Sequence, residues 1–314
     1  MERRRWGEEP WHSLDYELKM RFGKKLYKLS LNGGMTCPNR DGTLDSRGCI
    51  FCSAGGSGEF AADAGRAVSE QLAQGRRMLS EKTANGPYIA YFQAFTNTYG
   101  PAGNLEALFE AAMEPEDVSV LSIATRPDCL PEDVLNLLAG LNRVKPVWVE
   151  LGLQTIHEKT AEYIRRGYEL DCFDRAVKQL KEIGIEVIVH VILGLPGEGK
   201  KEMLQTIGHL NELGVSGVKL QLLHVLEGTD LAEEYRNGRL RVLSEKEYIS
   251  LAADCLEALS PEIVVHRLTG DGSRKLLLAP EWSLRKKSVL NGIRHEMKAR
   301  GSWQGCRKEV FYGI

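Results

Sequence analysis

Six short runs rich in β-branched and aromatic residues recur along the chain: "LYKLSLN", "PYIAYFQAF", "VSVLSIAT", "PVWVELGLQ", "IEVIVHVILGLP" and "GVKLQLLHV". Stretches with helical apolar spacing separate them. Near-continuous apolar runs of this length are strands covered on both faces. Strands joined by helices in this rhythm form a parallel sheet. Six consecutive units predict an α/β fold, a partial (β/α)6 barrel over residues 25–228. An N-terminal segment at 1–24 precedes it and a C-terminal extension at 229–314 follows. A complete eight-unit barrel competes with this reading, because "EIVVHRLTG" can supply another strand. In either case the chemistry belongs on the loops at the carboxyl ends of the strands.

Composition excludes several classes. Lys and Arg number 41 against 43 Asp and Glu, a formal charge of −2, so nucleic-acid affinity requires a local basic surface. The opening "MERRRWGEEPWHSLDYELKM" carries basic residues but no apolar run of a signal peptide. The most apolar stretch, "VIVHVILGLP", is far short of the roughly 20 residues that cross a bilayer, so no membrane partner is expected. Seven cysteines, an odd number without regular spacing in a chain too large to need staples, predict a reducing, cytoplasmic compartment.

Three of those cysteines share the loop after the first predicted strand, "GGMTCPNRDGTLDSRGCIFCSAGGSG" at residues 33–58. Cys37, Cys49 and Cys52 are soft ligands suited to zinc or to iron–sulfur clusters. Structural zinc sites normally close with four protein ligands. The loop offers no fourth Cys or His, and Cys129, Cys172, Cys255 and Cys306 stand alone in other segments. A four-iron cluster on three thiolates keeps one iron open to an exogenous ligand. A zinc loop completed by a distant His is the alternative that spacing leaves open. A third candidate, "GLPGEGKK" at 194–201, matches a phosphate-binding loop up to its last position. There Lys201 stands where Ser or Thr would ligate magnesium, which opposes that chemistry.

The cysteine loop, with Phe51 before its last cysteine, resembles that of the radical S-adenosylmethionine (SAM) enzymes. It is most similar to the branch of the elongator catalytic subunit, where the first spacing is long. "ATRPD" at 124–128, "VELGLQT" at 149–155, "IRRGY" at 164–168, "HVILGLPGE" at 190–198 and "LEGTDLAEEYRNG" at 226–238 continue the resemblance in order. It extends to a bacterial group of stand-alone radical SAM proteins of similar length and covers nearly the whole chain, including "RGSWQGCR". The resemblance implies a [4Fe–4S] cluster on Cys37, Cys49 and Cys52, with SAM on the open iron. It also implies hydrogen abstraction by a 5′-deoxyadenosyl radical and an electron donor such as flavodoxin or ferredoxin.

For SAM, the resemblance points to Gln93, Thr96 and Asn97 at the second strand end, and to Gln154 and Arg166 for the ribose and methionine carboxylate. Gly194 would allow backbone to approach the adenosine. Ala124 and His190 depart from residues common in relatives, which leaves Glu150 or His190 to meet the ribose. A lone His in an apolar strand is more often a satisfied core residue. The segment 281–300 carries a local charge of +4, with Lys287, Arg294 and Lys298 on one helical stripe beside Leu290, Ile293 and Met297. Such a stripe is either an RNA contact or a solvated face. By resemblance, the expected partner is transfer RNA. The expected reaction converts 5-carboxymethylaminomethyl(-2-thio)uridine at the wobble position to its 5-aminomethyl form, which a downstream tRNA methyltransferase can consume. A small-molecule substrate, another tRNA site and a zinc-dependent RNA-binding module are the alternatives.

Overall fold

The computed structural model describes residues 6–56, 58, 61–81, 86–270 and 272–308. Residues 1–5 of the predicted N-terminal segment, and 271 and 309–314 of the predicted extension, lie outside the described residues. Each of the six predicted runs forms a strand: β1 (Tyr27–Leu31), β2 (Tyr88–Phe92), β3 (Val118–Thr125), β4 (Val147–Gln154), β5 (Glu186–Leu193) and β6 (Gly217–Leu222). A two-residue β7 (Val225–Leu226) and the later β8 (Val264–Arg267) and β9 (Leu277–Ala279) follow. The main sheet has seven strands in the order β1-β2-β3-β4-β5-β6-β8, every pairing parallel. It is a curled, partial barrel. The segment "VVHR" thus enters the sheet as a seventh strand, and the predicted extension is continuous with the core sheet. β7 and β9 pair antiparallel as a separate ribbon.

Ten helices are described: α1 (Leu14–Phe22), α2 (Val68–Leu79), α3 (Ala102–Met113), α4 (Glu132–Asn142), α5 (Glu158–Tyr163), α6 (Leu170–Glu182), α7 (Lys200–Leu213), α8 (Asp230–Arg236), α9 (Glu245–Ala258) and α10 (Lys286–Arg300). On the convex face, Phe92, Leu121, Val149 and Val189 are buried in one core with Phe109 of α3, Leu138 of α4, Phe173 of α6 and Ile207 of α7. The helices earn their positions through this apolar seam, since helix propensity alone leaves segments of this length marginal.

The concave face is layered by the two-residue period of the strands. Ile89, Val120, Trp148 and Ile188 form an apolar floor, closed from below by Leu18 of α1 and by Leu26. Two residues further along the same four strands come Tyr91, Ser122, Glu150 and His190, a polar layer inside the barrel. One more step gives Gln93, Ala124, Gly152 and Ile192, which line the cavity at the carboxyl ends.

In α10, Val289, Ile293 and Met297 form the fully buried stripe, and Leu290 is only half-buried. Lys287 and Lys298 are exposed, but Arg294 is not a free cation. It pairs with Glu9 through two contacts of 2.7 and 2.8 Å and lies 5.5 Å from the Trp11 ring centre. Of the three residues of the expected cationic stripe, Arg294 thus fastens the N-terminal segment to the helix. Among the described residues no helix is long and apolar enough to cross a membrane.

Candidate active site

The loop after β1 folds back on itself through short backbone bonds. Arg40 N donates to Cys37 O at 2.8 Å, and Cys52 N donates to Cys49 O at 3.1 Å. Arg40 spans the loop, its guanidinium donating to Cys52 O at 2.8 Å and Ser53 O at 2.6 Å. Asn39 ties the loop to the "RRGY" turn by donating to Arg165 O at 2.8 Å and Arg166 O at 3.2 Å. That approach requires glycine at 167, where φ is +81° and a Cβ would fall 2.5 Å from Asn39 Oδ1.

Cys37, Cys49 and Cys52 all line one cavity of about 580 Å³ at the strand ends. The Cys49 thiol is lowered to about 6 by its hydrogen bond with Cys52, with Arg126 and Arg40 adding to the effect, while Cys52 is pushed up by that bond and by burial. The three thiols share one cavity wall, as a cluster bound through three cysteines requires.

Of the residues expected to meet SAM, Gln93, Thr96, Glu150, Gln154, Arg166 and His190 line the cavity. Gln93 Nε2 is buried there without a partner, a donor left over for a ligand. Gln154 ends β4 beside a bulge with φ +68°, strain that a non-glycine residue holds only where its surroundings over-determine it.

Asn97 and Gly194 do not line the cavity. Asn97 is fully buried and spends its amide on Ala124 O at 2.9 Å. Gly194 faces Leu243, with a Cβ there meeting Leu243 Cδ1 at 3.1 Å. Arg166 reaches the cavity wall but has no donor to spare. Its five N–H groups go to Tyr168 O, Leu153 O, Thr155 O and both oxygens of Glu158. The planar fork expected on the methionine carboxylate is taken up by three backbone carbonyls and the Glu158 carboxylate instead. Arg126 of "ATRPD" lines the cavity near the cysteines; it is clamped by Asp128 at 2.7 and 2.9 Å and donates to Arg166 O at 2.9 Å.

The polar layer centres on Glu150, whose side chain is fully buried. It receives Lys28 Nζ and Ser122 Oγ on Oε1 at 2.8 and 2.9 Å, and His190 Nε2 lies 2.8 Å from Oε2. Lys219 donates to the same Oε2 and, at 3.2 Å, to the Tyr91 hydroxyl. Both ammonium groups lie over the Tyr91 ring, 4.3 and 4.6 Å from its centre. Burial opposes ionisation of Glu150, but Lys219, Lys28 and His190 hold it well below the usual carboxylate range. Lys28 and Lys219 were not among the residues singled out from the sequence. The signal was there: "YKLSL" and "VKLQL" alternate polar and apolar in a sheet otherwise apolar on both faces, so their polar positions must face an interior cavity.

His190 is pushed down to about 4 by burial, with Lys219 adding to it, and His224 on the cavity wall is pushed to about 4 by burial, then by Lys286 and Arg267. Both take up protons more readily when unfolded, near pH 6.5. Their contribution is therefore whole above that pH and is lost as pH falls toward 4. Each costs about 2 kcal/mol of stability at pH 5. Glu150 adds to the loss only below about pH 4.5. His266 is likewise pushed well down by burial, so urea midpoints measured at pH 7 and pH 5 should show the fall and the His224→Gln variant roughly two-thirds of it; equal midpoints would refute the assignment.

Comparison with known proteins places this geometry. The Radical SAM superfamily profile matches residues 45–210, and the Radical_SAM C-terminal domain profile matches residues 215–299. The YtqA protein of Bacillus subtilis is 46% identical over 298 residues, covering 95% of this chain and 92% of its own. A tRNA uridine(34) acetyltransferase of Methanocaldococcus jannaschii is 33% identical over 134 residues, 42% of this chain and 24% of that one. Among solved structures, the archaeal Methanocaldococcus infernus Elp3 with an N-terminal deletion superposes with a TM-score of 0.66 at 17% identity, over 90% of this chain and 65% of that chain.

Proposed function

Since the chain belongs to the radical SAM superfamily, alongside YtqA and the Elp3-related proteins, we propose that it modifies the wobble uridine of transfer RNA, converting 5-carboxymethylaminomethyl(-2-thio)uridine to 5-aminomethyl(-2-thio)uridine. Enzymes of the superfamily use a [4Fe–4S] cluster and SAM, and the residues present fit both: three thiols on one cavity wall, and the unpartnered Gln93 amide in the same cavity. In this reading Cys37, Cys49 and Cys52 hold the cluster, and Gln93, Thr96, Gln154 and His190 contact SAM. When bound, the cluster and SAM would supply an acceptor for one hydrogen atom and one electron from the substrate, with SAM converted to methionine and 5′-deoxyadenosine.

On the substrate side, the carbon between the side-chain nitrogen and the carboxylate loses the equivalent of hydride. Water then hydrolyses the resulting imine, the C–N bond breaks, glyoxylate leaves and the 5-aminomethyl group remains. The chain's own part is positioning. Lys28, Lys219 and Arg267 line the cavity with Glu150 as its single carboxylate; burial pushes Lys219 well down, but the wall keeps an excess of positive charge and favours a substrate group that brings negative charge, as the carboxymethyl group does. This cationic wall beneath the cysteine loop is the observation that carries the reading. The similarity to a tRNA uridine(34) acetyltransferase supports the choice of nucleotide.

The test is nucleoside mass spectrometry after incubating reconstituted enzyme, SAM and reductant with tRNA that bears the carboxymethylaminomethyl group. The 5-aminomethyl nucleoside should appear as its precursor disappears. Formation of 5′-deoxyadenosine with the carboxymethyl group retained would leave a radical SAM enzyme with a different substrate.

A further inference from the structure

Beside the reaction cavity lies a second one of about 810 Å³, between the loop at 270–275 and the start of α10. Five cations line it, Arg274, Lys275, Arg285, Lys286 and Lys287, together with serine hydroxyls. No Asp or Glu is among its described lining residues; Asp271 lies outside the described residues. Arg285 is held by Glu245 at 2.7 Å, whereas Arg274, Lys275 and Lys287 meet no carboxylate among the described residues. In a chain of net charge −2, this concentrates positive charge at one place.

The two cavities adjoin. Gly272 and Lys286 line both. His224 forms the seam, its ring so close under the loop that a Cβ at Gly270 would fall 2.4 Å from Cε1 and one at Gly272 3.1 Å from Nδ1. Its Nε2 is buried without a partner and its ring lines the reaction cavity.

We propose that this second cavity holds the phosphodiester backbone of the RNA substrate, so that a nucleotide whose phosphate rests there extends its base past His224 into the reaction cavity. The proposal rests on the tRNA reading above and moves the RNA contact from the outer stripe of α10 to the loop facing its first turn. Phosphates bind such a surface by releasing counterions. A single-stranded loop supplies a base free to leave its stack.

Binding of tRNA to the full-length protein, followed by fluorescence anisotropy across a salt series, tests it. Arg274→Glu/Lys275→Glu should weaken affinity at least tenfold and flatten the log–log salt slope by about 1.4, two phosphate contacts on a single strand. Lys287→Glu should weaken it less, and Lys298→Glu on the last turn of α10 should leave affinity within twofold. Arg274→Gln/Lys275→Gln, which adds no repulsion, should fall between the wild type and the charge reversal, and an unchanged melting temperature shows that the fold survives. Unchanged tRNA affinity in the double reversal, or an equal loss at Lys298→Glu, would overturn the proposal. So would displacement of inorganic phosphate alone with tRNA binding intact, which would assign the cavity to a free phosphate. Loss of tRNA binding in the double variant, in an enzyme whose wild type fails to convert the carboxymethylaminomethyl nucleoside, would uphold this cavity and remove only the reaction assigned above.

Discussion

Alanine at Cys37, Cys49 or Cys52 is expected to abolish formation of 5′-deoxyadenosine from SAM, and to leave reconstituted protein with a small fraction of the wild-type iron. Each sulfur is one of three on the wall of a single cavity, and the loop offers no replacement, so losing one leaves two thiolates for a four-iron group. Alanine at Cys172 or Cys306 should retain iron and SAM cleavage, because neither residue lines the cavity. Cys255 is wholly buried in the core, so its replacement tests packing and not ligation. Iron and sulfide analysis after anaerobic reconstitution reads the result directly. Full iron occupancy in Cys37→Ala, or its loss in Cys306→Ala, would mean the ligands are misassigned.

Removing the carboxylate of Glu150 should be the most destabilising single change in the barrel. Glu150→Ala leaves the Lys219 ammonium, 2% exposed, with the Tyr91 hydroxyl in place of its counter-ion, and takes from Lys28 and His190 their shared acceptor. Breaking a buried pair from one side costs about 3–5 kcal/mol. That is a large fraction of the roughly 5–15 kcal/mol that hold a typical domain together. Glu150→Gln keeps part of the hydrogen bonding and should lose less. Adding Lys219→Met to Glu150→Gln should recover part of the loss, since the stranded charge leaves with the lysine. Urea unfolding at pH 7 measures all three. A loss below about 1 kcal/mol for Glu150→Ala would mean that the layer does not depend on charge pairing.

The strands were legible in the sequence because a parallel sheet covered on both faces permits few polar residues, and "VSVLSIAT" or "IEVIVHVILGLP" can satisfy that only as strands. The cysteine loop was legible for a related reason. Its three cysteines lie within sixteen residues, Cys37 to Cys52, so local spacing brings the three thiols onto one cavity wall. The "RRGY" arginines were harder. A guanidinium suited to a carboxylate is equally suited to carbonyl oxygens, and only the folded turn closes Arg166 on Leu153, Thr155 and Tyr168.

The sequence by itself determined the parallel α/β architecture and the set of three thiols, because strand burial and ligand spacing are properties of short contiguous segments. Tertiary structure alone decided the rest. Lys28 stands 122 residues from Glu150 and Lys219 stands 69, so nothing local records that two cations share one buried acid. Arg294 is bound to Glu9 across 285 residues, and the basic cavity joins a loop to a helix that begins eleven residues later, at Lys286. Charge acts through space, and its partners are fixed only when the sheet has curled and brought distant segments within a few ångströms of one another.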